Sequence, residues 1–124
     1  MRYTLEVGCS YASATHPPEL KTIETKELAR SAYAQALELA QVAQLDALAI
    51  DALHMLAFVD TTPESQLAWN RKAIALLEAS SQPDAQKWAG PLHHNAGYAL
   101  QQLGRYDEAL TEFKLLALTA LESH

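Results

Sequence analysis

Residues 95–110 read NAGYALQQLGRYDEAL and form the most informative passage of the chain. Apolar and small residues recur in it every three or four positions, which is the period of an amphipathic helix. Gly104 interrupts this pattern as a helix stop, and an acidic helix start follows it directly. Gly97 and Ala109 are small enough to let two helices approach closely. The passage therefore predicts a tight hairpin of two packed helices.

The remainder of the chain has the same helical period, so the predicted fold class is all-α. Helix breaks are expected at three proline-containing segments, because proline removes a backbone donor and restricts the residue before it. The predicted helices span residues 2–13, 24–43, 46–59, 63–80, 84–103 and 106–122. Inside the fifth, Gly90-Pro91 should kink the helix or make it restart at Pro91.

Internal repetition distinguishes two ways of packing these helices. Six helices joined by short loops fit either an ordinary bundle or a stack of helical hairpins. At an offset of forty residues three pairs coincide, namely Ala57 with Gly97, His54 with His94, and Phe58 with Tyr98. Such self-similarity at a fixed spacing favours the stack.

The hairpin around Gly104 resembles the tetratricopeptide repeat, a two-helix unit that stacks into solenoids. The matching residues are Gly97 (small residue of helix A), Gly104 (turn glycine), Tyr106 (aromatic after the turn), Ala109 (small residue of helix B) and Phe113 (aromatic of helix B). Two preceding hairpins match less completely. The resemblance implies a right-handed helical-hairpin solenoid of about three repeats, made of six antiparallel helices. The repeats lie at approximately 1–43, 46–80 and 84–122 of a single domain, 1–124.

The resemblance also implies a concave groove lined by helix A of each repeat. Its groove positions fall on Asp51, His54, Phe58, His94, Tyr98 and Gln101, and in the first repeat on Arg2, Leu5 and Cys9. Residues 88–104 carry no formally charged side chain. A neutral face with aromatic and amide groups suits a peptide or a partner protein, or a neighbouring subunit. The expected function is a noncatalytic protein–protein interaction module.

Composition excludes several other classes of partner. The formal charge is −6, and no basic cluster is longer than Arg71-Lys72, so binding to nucleic acid or to anionic membranes is not expected. No apolar run approaches the length of a membrane span. A single cysteine, Cys9, cannot form an internal disulfide, which makes the reducing cytoplasm the expected location.

Catalytic and cofactor motifs are absent from the sequence, so neither an enzyme nor a cofactor is expected. There is no phosphate-binding glycine-rich loop, no His-Glu-x-x-His and no Cys-x-x-Cys. His93 and His94 point about 100° apart on a helix, which argues against a metal site. A small-ligand sensor or hydrolase that uses His54, His94 and Cys9 is a weaker alternative and would need a closed pocket.

The C-terminal helix suggests a second alternative, a self-associating structural unit. Its inward row is expected to be Leu110, Phe113, Ala117 and Leu121, packed on the fifth helix. Leu115 and Leu118 then lie away from that row and widen the apolar arc. An exposed apolar patch of this kind marks an interface, and a twofold homodimer through this helix would cover it.

Overall fold

A computed structural model describes residues 23–122 of the chain. The helices are α1 (Ile23–Val42), α2 (Asp46–Val59), α3 (Pro63–Ala79), α4 (Pro83–Gln86), α5 (Ala89–Gln102) and α6 (Tyr106–Glu122). The described part of the chain contains no strand, so the all-α prediction is confirmed for it. The predicted helix at 2–13, with Arg2, Leu5 and Cys9, lies outside the described residues.

Thr62 and Pro63 define the start of α3. Thr62 is the N-cap, and its hydroxyl oxygen accepts a hydrogen bond from the backbone N–H of Ser65 at 3.2 Å. Pro63 occupies the first helical position, where a missing N–H costs nothing because no intrahelical acceptor exists there. The predicted start of this helix at residue 63 is therefore confirmed.

Two helices end in the same left-handed C-cap. After α5, Gly104 has a φ of 75°, its N–H donates to the carbonyl of Gln101 at 3.0 Å, and the next N–H donates to Leu100 at 2.9 Å. After α1, Gln44 takes the corresponding place with a φ of 58°. Glycine adopts this conformation without steric cost, whereas glutamine does so against its preference. The stop predicted at Gly104 is thus confirmed.

The predicted helix at 84–103 is divided in two. The one-turn α4 ends at Gln86, and α5 begins at Ala89, two residues before the expected restart at Pro91. Pro91 then lies in the first turn of α5. Proline is tolerated there because the first four N–H groups of a helix lack intrahelical acceptors.

The described helices pack in chain order around one apolar core. Helix α1 packs on α2, α2 on α3, α3 on α5, and α5 on α6, while α4 contacts α2. The largest fully buried side chains are Ile50, Leu56, Leu92 and Leu100, which come from α2 and α5. Buried alanines fill much of the remaining core and allow close helix contacts.

Gly97 on α5 lies against the ring of Phe113 on α6. A Cβ atom at this position would lie 2.5 Å from Cε1 of Phe113, which is inside any allowed contact distance. Ala109 is also buried on the facing side of α6. The prediction that these two small residues are packing contacts is confirmed.

The expected inward row of α6 is correct only at Phe113. Leu110, Ala117 and Leu121 are exposed, whereas Leu116 is partly buried and lies 3.6 Å from the place of a Cβ on Gly90. Turning the small Ala109 toward α5 leaves Leu110, about 100° further around the helix, on the outer side. Leucines spread around this helix, so their spacing alone does not identify its inward face.

Candidate binding cavity among α2, α3 and α5

One cavity of about 240 Å³ opens where three helices meet. Its lining residues are His54, Ala57 and Phe58 from α2, Gln66 and Asn70 from α3, and Asn95 and Tyr98 from α5. None of these described lining residues carries a formal charge. The cavity therefore combines aromatic surface with amide hydrogen-bonding groups.

Two aromatic side chains at the cavity are exposed to an unusual degree for their size. Phe58 is 63% exposed and Tyr98 is 54% exposed. The imidazole of His54 packs edge-on against Phe58, with ring centroids 4.9 Å apart, and lies 5.1 Å from the ring of Trp88. His54 and Phe58 are four residues apart, which brings both to one side of α2. His54 and Phe58 thus form an aromatic wall on one side of the cavity.

His54 contributes a neutral group to this wall. Burial lowers the pKa of its imidazole, and this outweighs the opposing effect of the Asp51 carboxylate. Its Nδ1 atom lies 3.5 Å from Nδ2 of Asn95, at the long limit of a hydrogen bond. The imidazole is therefore uncharged near pH 7 and only weakly held by its amide neighbour.

Asn70 contributes a buried acceptor that is not used. Its side chain is only 3% exposed, and Nδ2 donates to the backbone carbonyl of Gln66 at 2.7 Å. Its Oδ1 atom accepts no hydrogen bond from any residue that the structure describes. An unpaired buried acceptor costs about 1–3 kcal/mol of folding free energy. Asn70 thus places a buried, unpaired acceptor beside the cavity.

The structure brings together three of the six groove residues predicted within the described part of the chain. His54, Phe58 and Tyr98 line the same cavity. Asp51 and Gln101 are exposed and are not among the lining residues. His94 is also exposed, and its ring lies 6.4 Å from the ring of Phe113.

Four lining residues were not among the predicted groove residues, namely Ala57, Gln66, Asn70 and Asn95. Gln66 and Asn70 belong to α3, whereas the repeat register assigned the groove to helices A alone. The spacing of four residues between Gln66 and Asn70 places both amides on one side of α3. This spacing is the sequence signal that could have indicated both residues. Nothing in the sequence marks Asn70 as buried, because an asparagine on a helix is ordinarily exposed.

A second polar cluster lies at the end of α2, and its carboxylate accepts hydrogen bonds from two side chains. Asp60 accepts hydrogen bonds from the Arg30 guanidinium at 2.6 Å and from the Trp69 indole N–H at 2.7 Å. Burial alone would raise the pKa of Asp60, but the hydrogen bonds from Arg30 and Trp69 outweigh it and lower that pKa. We call Asp60, Arg30 and Trp69 the Asp60 cluster; it connects α1, the end of α2 and α3.

His93 has an acidic partner that spacing along one helix did not reveal. Its Nδ1 atom lies 2.8 Å from a carboxylate oxygen of Glu112 on α6. In residues 23–122 no group of three His, Cys, Asp or Glu side chains is arranged to hold a metal ion. Within the same residues, no helix combines the length and apolarity needed to cross a bilayer.

The two leucines expected at an oligomer interface lie on the surface of α6. Leu115 and Leu118 are both exposed, outside the row that contacts α5. Leu110 and Leu121 are exposed as well. These leucines place apolar side chains on the outer side of α6, where Thr111 and Lys114 are exposed as well.

Comparison with known proteins identifies no relative. No protein-family model, curated protein or solved structure matches the chain. The resemblance to the tetratricopeptide repeat therefore rests on the residues of this sequence.

Proposed function

We propose that the chain is a noncatalytic protein–protein interaction module that binds a peptide or partner protein at this cavity. The observation that carries the proposal is the pair of exposed aromatic rings, Phe58 and Tyr98, on a cavity without charged lining residues. Exposed aromatic side chains are enriched where proteins contact partners, and charged residues are depleted there. Exposed aromatic rings without neighbouring charges are unfavourable on a surface that contacts only water.

The size of the cavity favours a side chain over a cofactor. Pockets for small molecules usually enclose about 300–1,000 Å³ and most of the ligand surface. The volume of about 240 Å³ is smaller, and the flanking rings are open to solvent. A partner that inserts a side chain fits these dimensions better than a sensor ligand or a hydrolase substrate.

We further propose that the helices form a right-handed, tetratricopeptide-like solenoid of about three repeats. In this arrangement α2 and α5 are helices A, and α3 and α6 are helices B. The Gly97–Phe113 contact and the left-handed Gly104 support this assignment for the last hairpin. The cavity between α2 and α5 then belongs to the concave groove of the stack.

The charge of the chain supports protein over nucleic acid or membrane as the partner. With a net charge of −6, the surface offers little to neutralise phosphates. The single cysteine agrees with a cytoplasmic location for the module.

A double variant tests the binding proposal. Phe58→Ala with Tyr98→Ala removes both exposed rings, and partner capture by the purified protein should be abolished while helicity, measured by circular dichroism, is retained. Tyr106→Ala is the matched control, since this exposed tyrosine does not line the cavity. Capture that survives in a folded double variant would exclude the cavity as the binding site.

The outer side of α6 favours a second candidate, a homodimer through Leu115 and Leu118. Both leucines are exposed and outside the contact with α5. Sedimentation at micromolar concentration should give a dimer for the parent chain and a monomer for the Leu115→Glu, Leu118→Glu variant. A monomer in both cases, with equal solubility, would eliminate this interface.

A further inference from the structure

We infer that the partner is a basic segment, which packs one arginine or lysine side chain on the exposed rings of Phe58 and Tyr98 and beside the carboxylate of Asp51. This inference rests on the proposed function and specifies the chemistry of the bound segment. It follows from the exposure of the two rings and from the distribution of charge over the helices that carry them.

Asp51 places a carboxylate on the side of α2 that borders the cavity. Asp51, His54 and Phe58 follow one another at spacings of three and four residues, which brings them to one side of the helix. Burial lowers the pKa of His54, and the Asp51 carboxylate opposes this effect, so its field reaches the cavity. Because Asp51 is exposed, the free protein holds this charge in water without an ion-pair partner of its own helix.

No lysine or arginine occurs on the two helices that carry the exposed rings. Helix α2 has Asp46 and Asp51 as its only formal charges, and α5 has none. The whole chain has a net charge of −6, so its field attracts cationic segments and repels acidic ones. The charge of α2 and α5 therefore favours a basic partner over an acidic one.

An aromatic ring elsewhere in the chain already has a cation beside it, whereas the exposed rings of the cavity do not. Lys72 places its Nζ atom 4.8 Å from the centroid of the Trp69 ring, within the range of a cation–π interaction. Among the residues that the structure describes, no cation lies in this way over Phe58 or Tyr98. A partner is therefore free to supply one.

The exposure of the rings lets a cation bind without losing all of its water. A charge that left water completely would need a buried partner, and none of the lining residues carries a charge. Phe58 and Tyr98 are both more than half exposed, so the methylene stem of arginine or lysine packs on them while the charged head stays hydrated. Asp51 is exposed as well and acts on the head from the same side of α2.

Matched peptides with and without charge test the inference by NMR titration of the full chain. A blocked tripeptide with arginine between two glycines should shift the resonances of Phe58 and Tyr98. It should bind about three- to tenfold more tightly than the same peptide with citrulline, which has nearly the shape of arginine but no charge. Lysine should exceed N-acetyl-lysine in the same way. Raising the NaCl concentration from about 0.05 M to about 0.5 M should reduce both preferences.

Two aspartate variants assign the countercharge. Asp51→Asn should reduce the preference for arginine over citrulline, whereas Asp107→Asn, which changes an exposed aspartate on α6, should preserve it. An unchanged preference in Asp51→Asn would overturn the place of Asp51 in the site.

The comparison of arginine with citrulline needs only the parent protein, so it stays decisive whatever the variants do. Equal or tighter binding of the citrulline peptide would overturn the cationic partner and leave the proposed function standing. If neither peptide shifts the resonances of Phe58 and Tyr98 at millimolar concentration, the inference is wrong. Survival of partner capture in the Phe58, Tyr98 double variant would separately refute the proposed function.

Discussion

The Asp60 cluster and the cavity both border α2, but they differ in how completely their hydrogen bonds are formed. At Asp60 the carboxylate accepts from a guanidinium and an indole at 2.6 and 2.7 Å. In the cavity Oδ1 of Asn70 accepts from no described residue, and His54 lies 3.5 Å from its amide neighbour. Buried polar groups in proteins are nearly always paired. The comparison therefore separates a cluster whose carboxylate is paired from a region that keeps an unpaired buried acceptor.

The geometry of the two regions explains this difference. The Asp60 cluster joins three helices, so its bonds form as part of folding. The lining of the cavity also comes from three helices, yet it leaves Oδ1 of Asn70 unpaired and keeps His54 at 3.5 Å from Asn95.

Gly97→Leu should have the largest effect on stability and leaves both polar regions chemically intact. Gly97 precedes Tyr98 but packs against Phe113, where even a Cβ would lie 2.5 Å from the ring. Overpacking should lower the free energy of unfolding by about 3 kcal/mol. Thermal denaturation measures this, with Gly97→Ala expected to cost less. An unchanged melting temperature would show that the α5–α6 contact is described incorrectly.

Asp60→Ala should be the most destabilising change within the two polar regions. The substitution removes the carboxylate that accepts hydrogen bonds from the Trp69 indole and from Arg30. Both donors are partly buried and lose this acceptor. The expected loss is about 2 kcal/mol in the free energy of unfolding, measured by urea denaturation. Arg30→Ala should cost less, because Asp60 keeps the bond from Trp69. Equal stability of Asp60→Ala and the parent would remove the structural role of this cluster.

Asn70→Leu should cost far less than Asp60→Ala. The substitution removes the unpaired acceptor together with the hydrogen bond from Nδ2 to the Gln66 carbonyl, so the free energy of unfolding should stay within about 1 kcal/mol of that of the parent. The same denaturation series provides the measurement, with Asn70→Ala as a control that leaves an added void. A loss as large as that of Asp60→Ala would erase the distinction between the two regions.

Most helix boundaries could be predicted because local chemistry defines them. Helix α3 starts at Pro63 behind its Thr62 cap, and Gly104 ends the hairpin turn before α6. These signals act within a few residues, so no tertiary information is needed. The break between α4 and α5 near Trp88 was harder to predict, since proline is compatible with either a kink inside a helix or a place in its first turn.

The candidate site could be predicted only in part because burial depends on packing between distant helices. Phe58 and Tyr98 lie forty residues apart, as do His54 and His94, and this repeat spacing brought the four residues into one prediction. Asn70 carries no such mark, and its burial follows from the way α3 lies between α2 and α5. The partnership of Arg30 with Asp60 spans thirty residues and has no local signal either.

The smallest expected effect is a pH dependence of the stability, to which His54 in the cavity and Asp60 in its cluster contribute at different pH values. His54 has a folded-state pKa below its ordinary value of 6.5, mainly through burial, so the unfolded chain binds that proton more tightly. Its contribution to stability is fully present above pH 6.5 and is lost as the pH falls through the folded-state value. Asp60 has a pKa below its ordinary 3.8, so its contribution is retained until the pH falls below that value.

Melting temperatures of the parent and of His54→Gln, compared at about pH 7.5 and about pH 5, isolate the cavity from the Asp60 cluster. The parent should lose a few degrees more than the variant over this interval, because only the parent takes up a proton at residue 54 on unfolding. The other histidines, including His93 beside Glu112, are present in both proteins and cancel in the difference. Asp60 stays ionised throughout, so its cluster contributes nothing to the change. Equal losses in the two proteins would mean that His54 is as open to water as in the unfolded chain, and the neutral lining of the cavity would no longer hold.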